Sequence, residues 1–529
     1  MEYFQSVPAY LHELTEWLPW LLLLGFLTYC TTDAISTKRL INQFRQFPLV
    51  GSPSLTPKFI SNLAFARRAT DILTEGYHKF KSSAFQLMRG DGRVIVLPLS
   101  LLDELSALPV TVANPQAALE RDLLGPFTGL NLIVENRLHH IIVQRKLTPR
   151  IPLLVPRIET SIARATEDLL PQTEEWSEIL AYQVLAQVSA RSVAHVIVGP
   201  AFCENKTWLN ISTQYTESLF KTIVVLRTMP HWLQGLTCFL LPSYWECQRH
   251  LRDAKLLLSG HIQDLIEKND AGSWEPKDDN ADDLSVLSWL SAMAKGRDRN
   301  PHVIAHVLVL VALASVHTTL LRMVNVLYDV TAAGPSLRKE LIEEIQKVSE
   351  KGWSTASYDQ LHRLDSVMRE SQRCSPPTIL GLKRLFRQAY TFQDGTHVSA
   401  GTYATMPIYA IENDGEHTTD PQEFDGLRSF RARQELEAAS DGGVDAKDLL
   451  FSSPTRTSLN FGYGKTACPG RFFASQVIKI VLVKLLTEYE FDFLPEETRP
   501  KNILVHEFLF TWPWQKMLAR RQRNSDTLF

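Results

Sequence analysis

The feature that most constrains this chain is a ten-residue segment near its C-terminus, Phe461-Gly-Tyr-Gly464-Lys-Thr-Ala-Cys468-Pro-Gly470. Its glycines let the backbone turn tightly and approach a flat group closely. A helical pattern starts at Arg471, so the free N–H groups and the positive end of that helix are expected to face the Cys468 sulfur and favour its thiolate form. The segment therefore predicts a thiolate ligand, and the alternative is an ordinary buried cysteine at a helix N-terminus.

Charge and cysteine usage limit the classes of function. The 529 residues carry a net charge of −3 with mixed signs, which argues against nucleic acid as a partner. Six cysteines are scattered without CxxC pairs or Cys/His clusters, a pattern unlike zinc sites or disulfide frameworks and consistent with a reducing compartment. No linker-like composition divides the chain after its first fifty residues, so we predict one catalytic domain, residues 36–529, behind an N-terminal segment, residues 1–35.

The apolar run Trp17–Cys30 predicts that this N-terminal segment is a membrane anchor. A cleaved signal peptide is disfavoured, because the chain begins Met-Glu-Tyr-Phe and has no clean small-residue cleavage site. Acidic residues precede the run, and Lys38, Arg39 and Arg45 follow it. The positive-inside rule then predicts a single-pass anchor with the bulk of the chain in the cytosol.

After residue 60 the hydrophobic pattern is mostly helical, which predicts a mainly α architecture with small β-sheets (α+β). Long helices are predicted at residues 59–82, 156–170, 176–198, 254–267 and 301–328. The last is apolar in its first half, and its histidines and threonines indicate a buried core helix rather than a second membrane span. Residues 390–409 are predicted to form short strands joined by Gly-containing turns.

The Cys468 segment resembles the haem-binding signature of the cytochrome P-450 superfamily, Phe-x-x-Gly-x-x-x-Cys-x-Gly, in which a cysteine thiolate holds the haem iron. All of its fixed positions are present. The resemblance implies the cytochrome P-450 fold and haem b as the cofactor, with Cys468 as the axial iron ligand. It also implies a set of cofactor-binding residues: Phe461, Gly464, Lys465, Gly470 and Arg471.

Two further motifs precede Cys468 along the chain in the same order as in the superfamily. Glu370 and Arg373 are spaced i, i+3 on a predicted helix, where they can pair, and Pro421-x-x-Phe424-x-x-x-Arg428 lies between them and Cys468. In the superfamily these elements form a Glu–Arg–Arg cluster beneath the haem. The resemblance therefore implies that Glu370, Arg373 and Arg428 form a structural cluster that fixes the cysteine loop, whereas the Glu/Arg spacing alone also fits a solvated helix face.

The segment Ala314-Ser-Val-His317-Thr318-Thr resembles the superfamily's oxygen-activation motif. Thr318 takes the place of the threonine that hydrogen-bonds bound dioxygen and relays protons. The sequence departs from the motif at Ser315 and at His317, which replaces an acidic residue. Histidine can carry protons near neutral pH. His317 is therefore either a relay beside Thr318 or a structural core histidine while a water relays, and both alternatives stay open.

The haem propionate partners match the superfamily loosely. His140 stands in place of the usual tryptophan, and the arginine position falls on Gln144, with Arg145 next to it. Thr466 stands where a basic residue is usual, and Lys465 is expected to compensate. We expect His140 and Arg145 to bind the cofactor, although a polar helix face explains them equally well.

Together the motifs predict a haem-dependent monooxygenase of the endoplasmic reticulum membrane, resembling fungal microsomal members of secondary metabolism. No dinucleotide or flavin fingerprint is present, so electrons are expected from a separate NADPH–cytochrome P-450 reductase, with cytochrome b5 as a second donor. The reductase, a flavoprotein, is expected to dock near Cys468, with Lys465 and Arg471 as candidate contacts.

The expected substrate is a large lipophilic small molecule, because the regions expected to face it are apolar, although such residues also suit an ordinary core. These regions are Leu105–Leu130, Gln214–Leu240, the segment before Thr318, Ser375–Leu380 and Glu507–Trp512. A terpenoid or indole-terpenoid is the first expectation, and a polyketide or alkaloid is the second. A haem-thiolate isomerase or dehydratase that needs no reductase, or a non-catalytic haem sensor, is the alternative to a monooxygenase.

Overall fold

The structure is a computed structural model that describes residues 7–43, 46–51, 58–89, 92–439, 445–523 and 528–529. Its helices are α1 (Val7–Gln43), α2 (Lys58–Lys79), α3 (Leu102–Ala107), α4 (Pro115–Asp122), α5 (Gly125–Thr128), α6 (Leu132–Glu135), α7 (Leu138–Ile142), α8 (Ile151–Leu169), α9 (Ala181–Val198), α10 (Lys206–Thr228), α11 (His231–Leu240), α12 (Pro242–Asp270), α13 (Val286–Met293), α14 (Pro301–Ala333), α15 (Pro335–Ser349), α16 (His362–Cys374), α17 (Ile408–Glu412), α18 (Arg428–Ala439) and α19 (Arg471–Glu488).

The strands are β1 (Leu49–Val50), β2 (Phe85–Arg89), β3 (Gly92–Val96), β4 (Ala113–Asn114), β5 (Ser177–Leu180), β6 (Gly381–Phe386), β7 (Tyr390–Thr391), β8 (His397–Val398), β9 (Tyr403–Met406), β10 (Tyr489–Phe493), β11 (Ile503–Val505), β12 (Phe508–Phe510) and β13 (Lys516–Arg521). A six-stranded sheet has the order β1-β2-β3-β9-β6-β4 and a three-stranded sheet the order β10-β13-β5, while β11–β12 and β7–β8 are separate two-stranded hairpins. The predicted architecture, mainly helical with small sheets, is confirmed.

Helix α14 is the central helix of the largest core cluster. Asn300 caps it by accepting the His302 N–H, and Pro301 occupies the first turn. The helix therefore begins at residue 301, where the sequence predicted its start. Among the described residues, α14 is the one helix long and apolar enough to cross a membrane, and 61% of its most apolar window is buried inside the protein. The interpretation of this segment as a core helix is therefore confirmed.

Several predicted boundaries differ from the structure. The segment 176–198 was expected to be all helix, but it begins with strand β5, whose Leu180 pairs with Lys516 of β13. Pairing with a strand more than 300 residues away overrides the local helical pattern. The strands predicted at 390–409 end at Met406, and α17 follows. Helix α1 continues past the predicted anchor boundary at residue 35 to Gln43.

The Cys468 loop precedes α19, whose buried apolar residues pack in the same core cluster as α14. The fold therefore brings the predicted thiolate segment and the predicted oxygen-activation segment to two neighbouring helices.

Candidate active site

The Cys468 loop turns sharply before α19. Gly462 and Gly464 lie in the left-handed region, with φ of +78° and +59°, which residues with a Cβ rarely adopt. A Cβ at Gly462 would stand 3.3 Å from the Thr466 carbonyl oxygen, so the chain folds back closely there. The Cys468 N–H donates to the Phe461 carbonyl oxygen over 2.7 Å. These constraints fix the backbone that carries the Cys468 sulfur.

The Cys468 thiol opens onto a cavity, while the surrounding protein desolvates it. Burial raises the pKa of the thiol above its usual value, and the N–H groups of Gly470 and Arg471, with the Arg471 charge, offset that rise only in part. The helix N-terminus stabilises the thiolate as expected, but burial destabilises the thiolate by more. Coordination to a metal ion would reverse this balance, because a metal-bound thiol is deprotonated outright.

The cavity has a volume of about 630 Å³ and is bordered by both the Cys468 loop and α14. Cys468, Phe461, Lys465 and Gly470 contribute to its lining, whereas Gly464 and Arg471 do not border it. Apolar side chains dominate the rest of the lining, among them Leu108, Leu119, Ile133, Val143, Leu310 and Val311. A largely apolar cavity with a cysteine sulfur at one side fits a flat macrocycle that carries an iron, so the residues present fit haem.

Helix α14 presents Ala314 and Thr318 to this cavity. The two residues are one turn apart and open to it, while Val316 and Leu320 are buried in the core. The Thr318 hydroxyl donates to the Ala314 carbonyl oxygen over 2.7 Å. A hydroxyl that can donate or accept a hydrogen bond therefore borders the same cavity as the Cys468 sulfur.

His317 does not border the cavity. Its Nε2 lies 2.9 Å from the Thr213 carbonyl oxygen of α10, which makes Nε2 the protonated nitrogen. Burial lowers the pKa of His317, although the Thr213 carbonyl and the Glu217 charge oppose that effect, so the site favours the neutral ring over the charged one. Of the two alternatives left open by the sequence, this geometry favours a structural histidine that links α14 to α10.

Glu370, Arg373 and Arg428 lie together. Arg373 donates Nε and Nη2 to the two Glu370 carboxylate oxygens over 2.9 and 2.7 Å, and Arg428 Nη2 lies 3.3 Å from Glu370 Oε1. Burial alone would raise the pKa of Glu370, but Arg373 and Arg428 hold it below its usual value. Arg373 also donates to the Pro421 and Glu423 carbonyl oxygens over 2.7 and 3.1 Å, so the cluster fixes the chain segment that leads toward Arg428.

Glu412 is a buried residue that the sequence reasoning missed. Its carboxylate accepts the Leu459 N–H over 2.5 Å and the Asn460 side-chain N–H over 2.8 Å, two contacts just before the Cys468 loop. Burial raises the pKa of Glu412 to about 7. The adjacent Asn413 accepts from Arg373 over 2.6 Å, so the ion cluster and the start of the cysteine loop are joined through α17. Nothing in the local sequence pattern marks this carboxylate.

The structure places only one of the two residues expected at the haem propionates beside the cavity. His140 borders the cavity, whereas Arg145 is exposed and lies outside it. A π-helical turn at Val143–Leu147 follows α7 and changes the helical phase between the two residues. Arg137 and His139 also border the cavity, and both were missed; they lie three residues and one residue before His140.

Arg384 is a second missed cation beside the cysteine loop. It lies on β6, is 3% exposed, and donates Nη2 to the Thr466 hydroxyl over 2.8 Å. Burial lowers the pKa of Arg384 to about 10. Thr466, which occupies the position expected to be basic, thus stands next to a buried guanidinium from a different strand. Only the tertiary fold brings the two together.

Two of the five regions expected to face substrate border the cavity, namely parts of Leu105–Leu130 and the α14 segment before Thr318. The other three do not, in the part of the chain that the structure describes. The rings of Phe508 and Phe510 contact Phe220 of α10 at centroid distances of 5.7 Å. The β11–β12 hairpin therefore packs on α10.

Comparison with known proteins agrees with this geometry. The profile of the cytochrome P450 family matches residues 112–517. The chain is 33% identical to the cytochrome P450 monooxygenase olcJ of Penicillium canescens, over 92% of this chain and 90% of that protein. It is 32% identical to the ent-kaurene oxidase of Gibberella intermedia, over 90% and 89% of the two chains.

The fold is also that of a solved structure, cyanobacterial CYP120A1 with bound retinoic acid. The TM-score is 0.63 and the sequence identity 18%, covering 90% of this chain and 99% of that one, so this likeness concerns the fold alone. The family match spans well over half of the chain and includes the Cys468 loop, the ion cluster and Thr318. The chain therefore belongs to the cytochrome P450 family, whose members bind haem through a cysteine thiolate and act as monooxygenases.

Proposed function

We propose that this monooxygenase oxidises a large lipophilic terpenoid or indole-terpenoid intermediate of fungal secondary metabolism. The observation that carries the proposal is the largely apolar cavity shared by Cys468 and Thr318. A similar chain named ent-kaurene oxidase acts, by that name, on ent-kaurene, which supports the terpenoid class. A polyketide or alkaloid remains the second substrate class, because an apolar cavity suits these as well.

Each site residue has a proposed role. Cys468 would hold the haem iron through its thiolate, and haem, when bound, would supply the chemistry that puts one atom of dioxygen into the substrate and releases the other as water, with two electrons from NADPH and two protons. Thr318 would hold a proton at its hydroxyl, at the border of the cavity, where it could pass that proton to a reacting group in the cavity. Glu370, Arg373 and Arg428 would hold the chain that supports the cysteine loop. Arg137, His139 and His140 are proposed to face the haem carboxylates.

Electrons are proposed to arrive from NADPH–cytochrome P450 reductase. Lys465 is exposed and Arg471 donates to the Cys468 carbonyl oxygen over 2.8 Å, so both lie close to the proposed iron ligand. Arg145 is exposed on the neighbouring segment, where Thr148 donates to the Pro469 carbonyl oxygen over 3.4 Å. These cations are the proposed contacts for the acidic surface of a flavoprotein.

Membrane attachment is proposed through residues 1–35, with residues 36–529 as the cytosolic catalytic domain at the endoplasmic reticulum. Support comes from two exposed apolar surfaces. Helix α1 exposes Trp17, Trp20, Leu24 and other large apolar side chains, and α11 exposes Trp232, Leu236, Phe239 and Leu240 by 60–69%. Tyr29 contacts Trp232 at a ring centroid distance of 6.1 Å, so the two surfaces are adjacent and could rest on one bilayer.

The test is reconstitution of the purified haem protein with NADPH–cytochrome P450 reductase and ent-kaurene as the first probe. The proposal expects a substrate-induced shift of the Soret band and NADPH-dependent product that carries one oxygen from ¹⁸O₂. Product formed without reductase would favour an isomerase or dehydratase. Haem binding without NADPH consumption for any terpenoid, polyketide or alkaloid probe would indicate a haem sensor.

A further inference from the structure

A buried ion cluster lies away from the Cys468 loop and centres on Glu507, in the turn between β11 and β12. Its carboxylate accepts two hydrogen bonds from Arg227 of α10, over 3.1 and 2.9 Å. It accepts one more from Arg89 of β2 over 3.0 Å and one from Lys383 of β6 over 3.3 Å. Burial would raise the pKa of Glu507, but these three cations hold it well below its usual value.

Asp122, the last residue of α4, belongs to the same cluster. It pairs with Arg89 over 2.8 Å and with Lys383 over 2.7 Å, and it accepts the Tyr403 hydroxyl over 2.7 Å. The side chains of Asp122 and Glu507 are 0% exposed and that of Arg89 is 1% exposed. Because each buried charge would be left uncompensated without its partners, the cluster acts as one unit.

The cluster holds a turn that would not be favoured on its own. His506 has φ of +55°, in the left-handed region, which disfavours a residue that carries a Cβ. The Glu507 carbonyl oxygen accepts the Ile379 N–H over 2.9 Å, so both the side chain and the backbone of the hairpin tip are bound. The hairpin is thereby tied to α10, to the large sheet and to α4.

Helix α4 is a wall between two cavities. One face borders the cavity beside Cys468, the proposed haem cavity, through Gln116 and Leu119. The other face borders a second cavity of about 650 Å³ through Ala117, Glu120 and Arg121, and this second cavity also touches α1 and α11. The helix has eight residues, and Asp122 ends it. The ion cluster therefore fixes the C-terminal end of a short helix that separates the two spaces.

We propose that Asp122 and Glu507 are positioning residues that set the size of ligand the haem cavity admits. They do so by tying α4, which forms part of the wall of that cavity, to the β11–β12 hairpin that supports it from outside. If one of the two carboxylates is removed, α4 can shift toward the second cavity, and the haem cavity then accepts bulkier ligands. This inference rests on the proposed function, because it takes the cavity beside Cys468 as the haem site.

The test is a spectral titration of the haem-loaded protein with two azoles, small imidazole and bulky clotrimazole. Both bind through a nitrogen to the iron, so their Kd values report ligand size and need no turnover. Asp122→Asn and Glu507→Gln are expected to lower the ratio of the clotrimazole Kd to the imidazole Kd by about tenfold, a size typical of coupling within one ion network. Glu507→Asp, which keeps the charge, is expected to restore part of the wild-type ratio.

Glu488→Gln is the matched control. It removes the carboxylate of another buried ion pair, Lys484–Glu488 at the end of α19, whose side chains are 3% and 1% exposed. The control is expected to keep the ratio within about twofold of wild type, as for independent sites. Haem-loaded Asp122→Asn and Glu507→Gln proteins with the wild-type ratio would overturn the inference. Absence of a thiolate-type carbon monoxide spectrum in the wild type would instead reject the proposed function.

A measurement on the wild type keeps the inference testable if a variant does not fold. Amide hydrogen exchange of residues 115–122 is compared in the presence of imidazole and of clotrimazole. Exchange is expected to rise with clotrimazole only, because the bulky azole must displace α4. Equal exchange with both azoles, at saturation, would show that α4 does not move for a bulky ligand and would contradict the inference.

Discussion

Replacement of Arg373 by alanine probes the link between the ion cluster and the cysteine loop. The change removes the hydrogen bonds to both Glu370 oxygens, to the Pro421 and Glu423 carbonyls and to Asn413. Glu370, 4% exposed, keeps Arg428 as its cation. Breaking a buried ion pair in this way costs about 3–5 kcal/mol. Each orphaned carbonyl adds about 1 kcal/mol where water cannot reach it.

The loss is expected to reach the haem, because Asn413 follows Glu412, which holds Leu459 and Asn460 before the Cys468 loop. The assay is haem content per chain and the carbon monoxide difference spectrum of purified Arg373→Ala. We expect most of the haem to be lost, with an intermediate result for Arg373→Lys.

The control is Arg433→Ala, which removes a more exposed ion pair with Glu437, 21% and 56% exposed. Such surface pairs contribute about 0–1 kcal/mol, so this variant is expected to keep its haem. Equal haem content in Arg373→Ala and Arg433→Ala would refute the reasoning that the cluster supports the cysteine loop.

Three further predictions concern single side chains. Thr318→Ala is expected to keep NADPH consumption but to release peroxide instead of product, with Thr318→Ser close to wild type; coupled turnover in the alanine variant would remove the proton-delivery role. His317→Gln is expected to leave that coupling unchanged and to lower the free energy of unfolding by about 1 kcal/mol, since the Thr213 contact is one buried hydrogen bond; an uncoupled variant would restore His317 as a relay. Burial raises the pKa of Glu412 from 4.5 to about 7, so its protonated form contributes stability that is complete below pH 4.5 and is lost as the pH rises through 7. Glu412→Gln is expected to flatten the pH dependence of the unfolding free energy over this range. An unchanged slope in that variant would contradict the assignment.

The features that the sequence predicted are those whose chemistry is local. The Phe461–Gly470 segment, the i, i+3 spacing of Glu370 and Arg373, and the apolar pattern of the central helix each follow from neighbours in the chain. The structure gives the central helix its predicted burial and brings Glu370 and Arg373 into contact.

The features that the sequence missed depend on contacts between distant residues. Glu412 meets Leu459 across 47 positions, and Arg384 meets Thr466 across 82. Neither contact leaves a periodic or motif signal. The orientation of His317 is similar, since its partner Thr213 is 104 residues away and one helical turn cannot reveal which neighbour a side chain meets.

Helix predictions failed where a strand partner decided the local structure. Ser177–Leu180 reads as the start of a helix, but β13 pairs with it from the far end of the chain. The substrate-facing regions were also only partly predicted, because the Phe220 and Glu507 contacts hold the β11–β12 hairpin against α10.

The most direct test of the central claim is the absorption spectrum of the reduced, carbon monoxide-treated protein beside a Cys468→Ala sample. A long-wavelength Soret band is expected in the wild type and is expected to be lost in the variant, because Cys468 is the proposed thiolate ligand of the iron. The same band in both proteins, or haem without that band in a correctly folded wild type, would contradict the assignment of Cys468 and with it the proposed site.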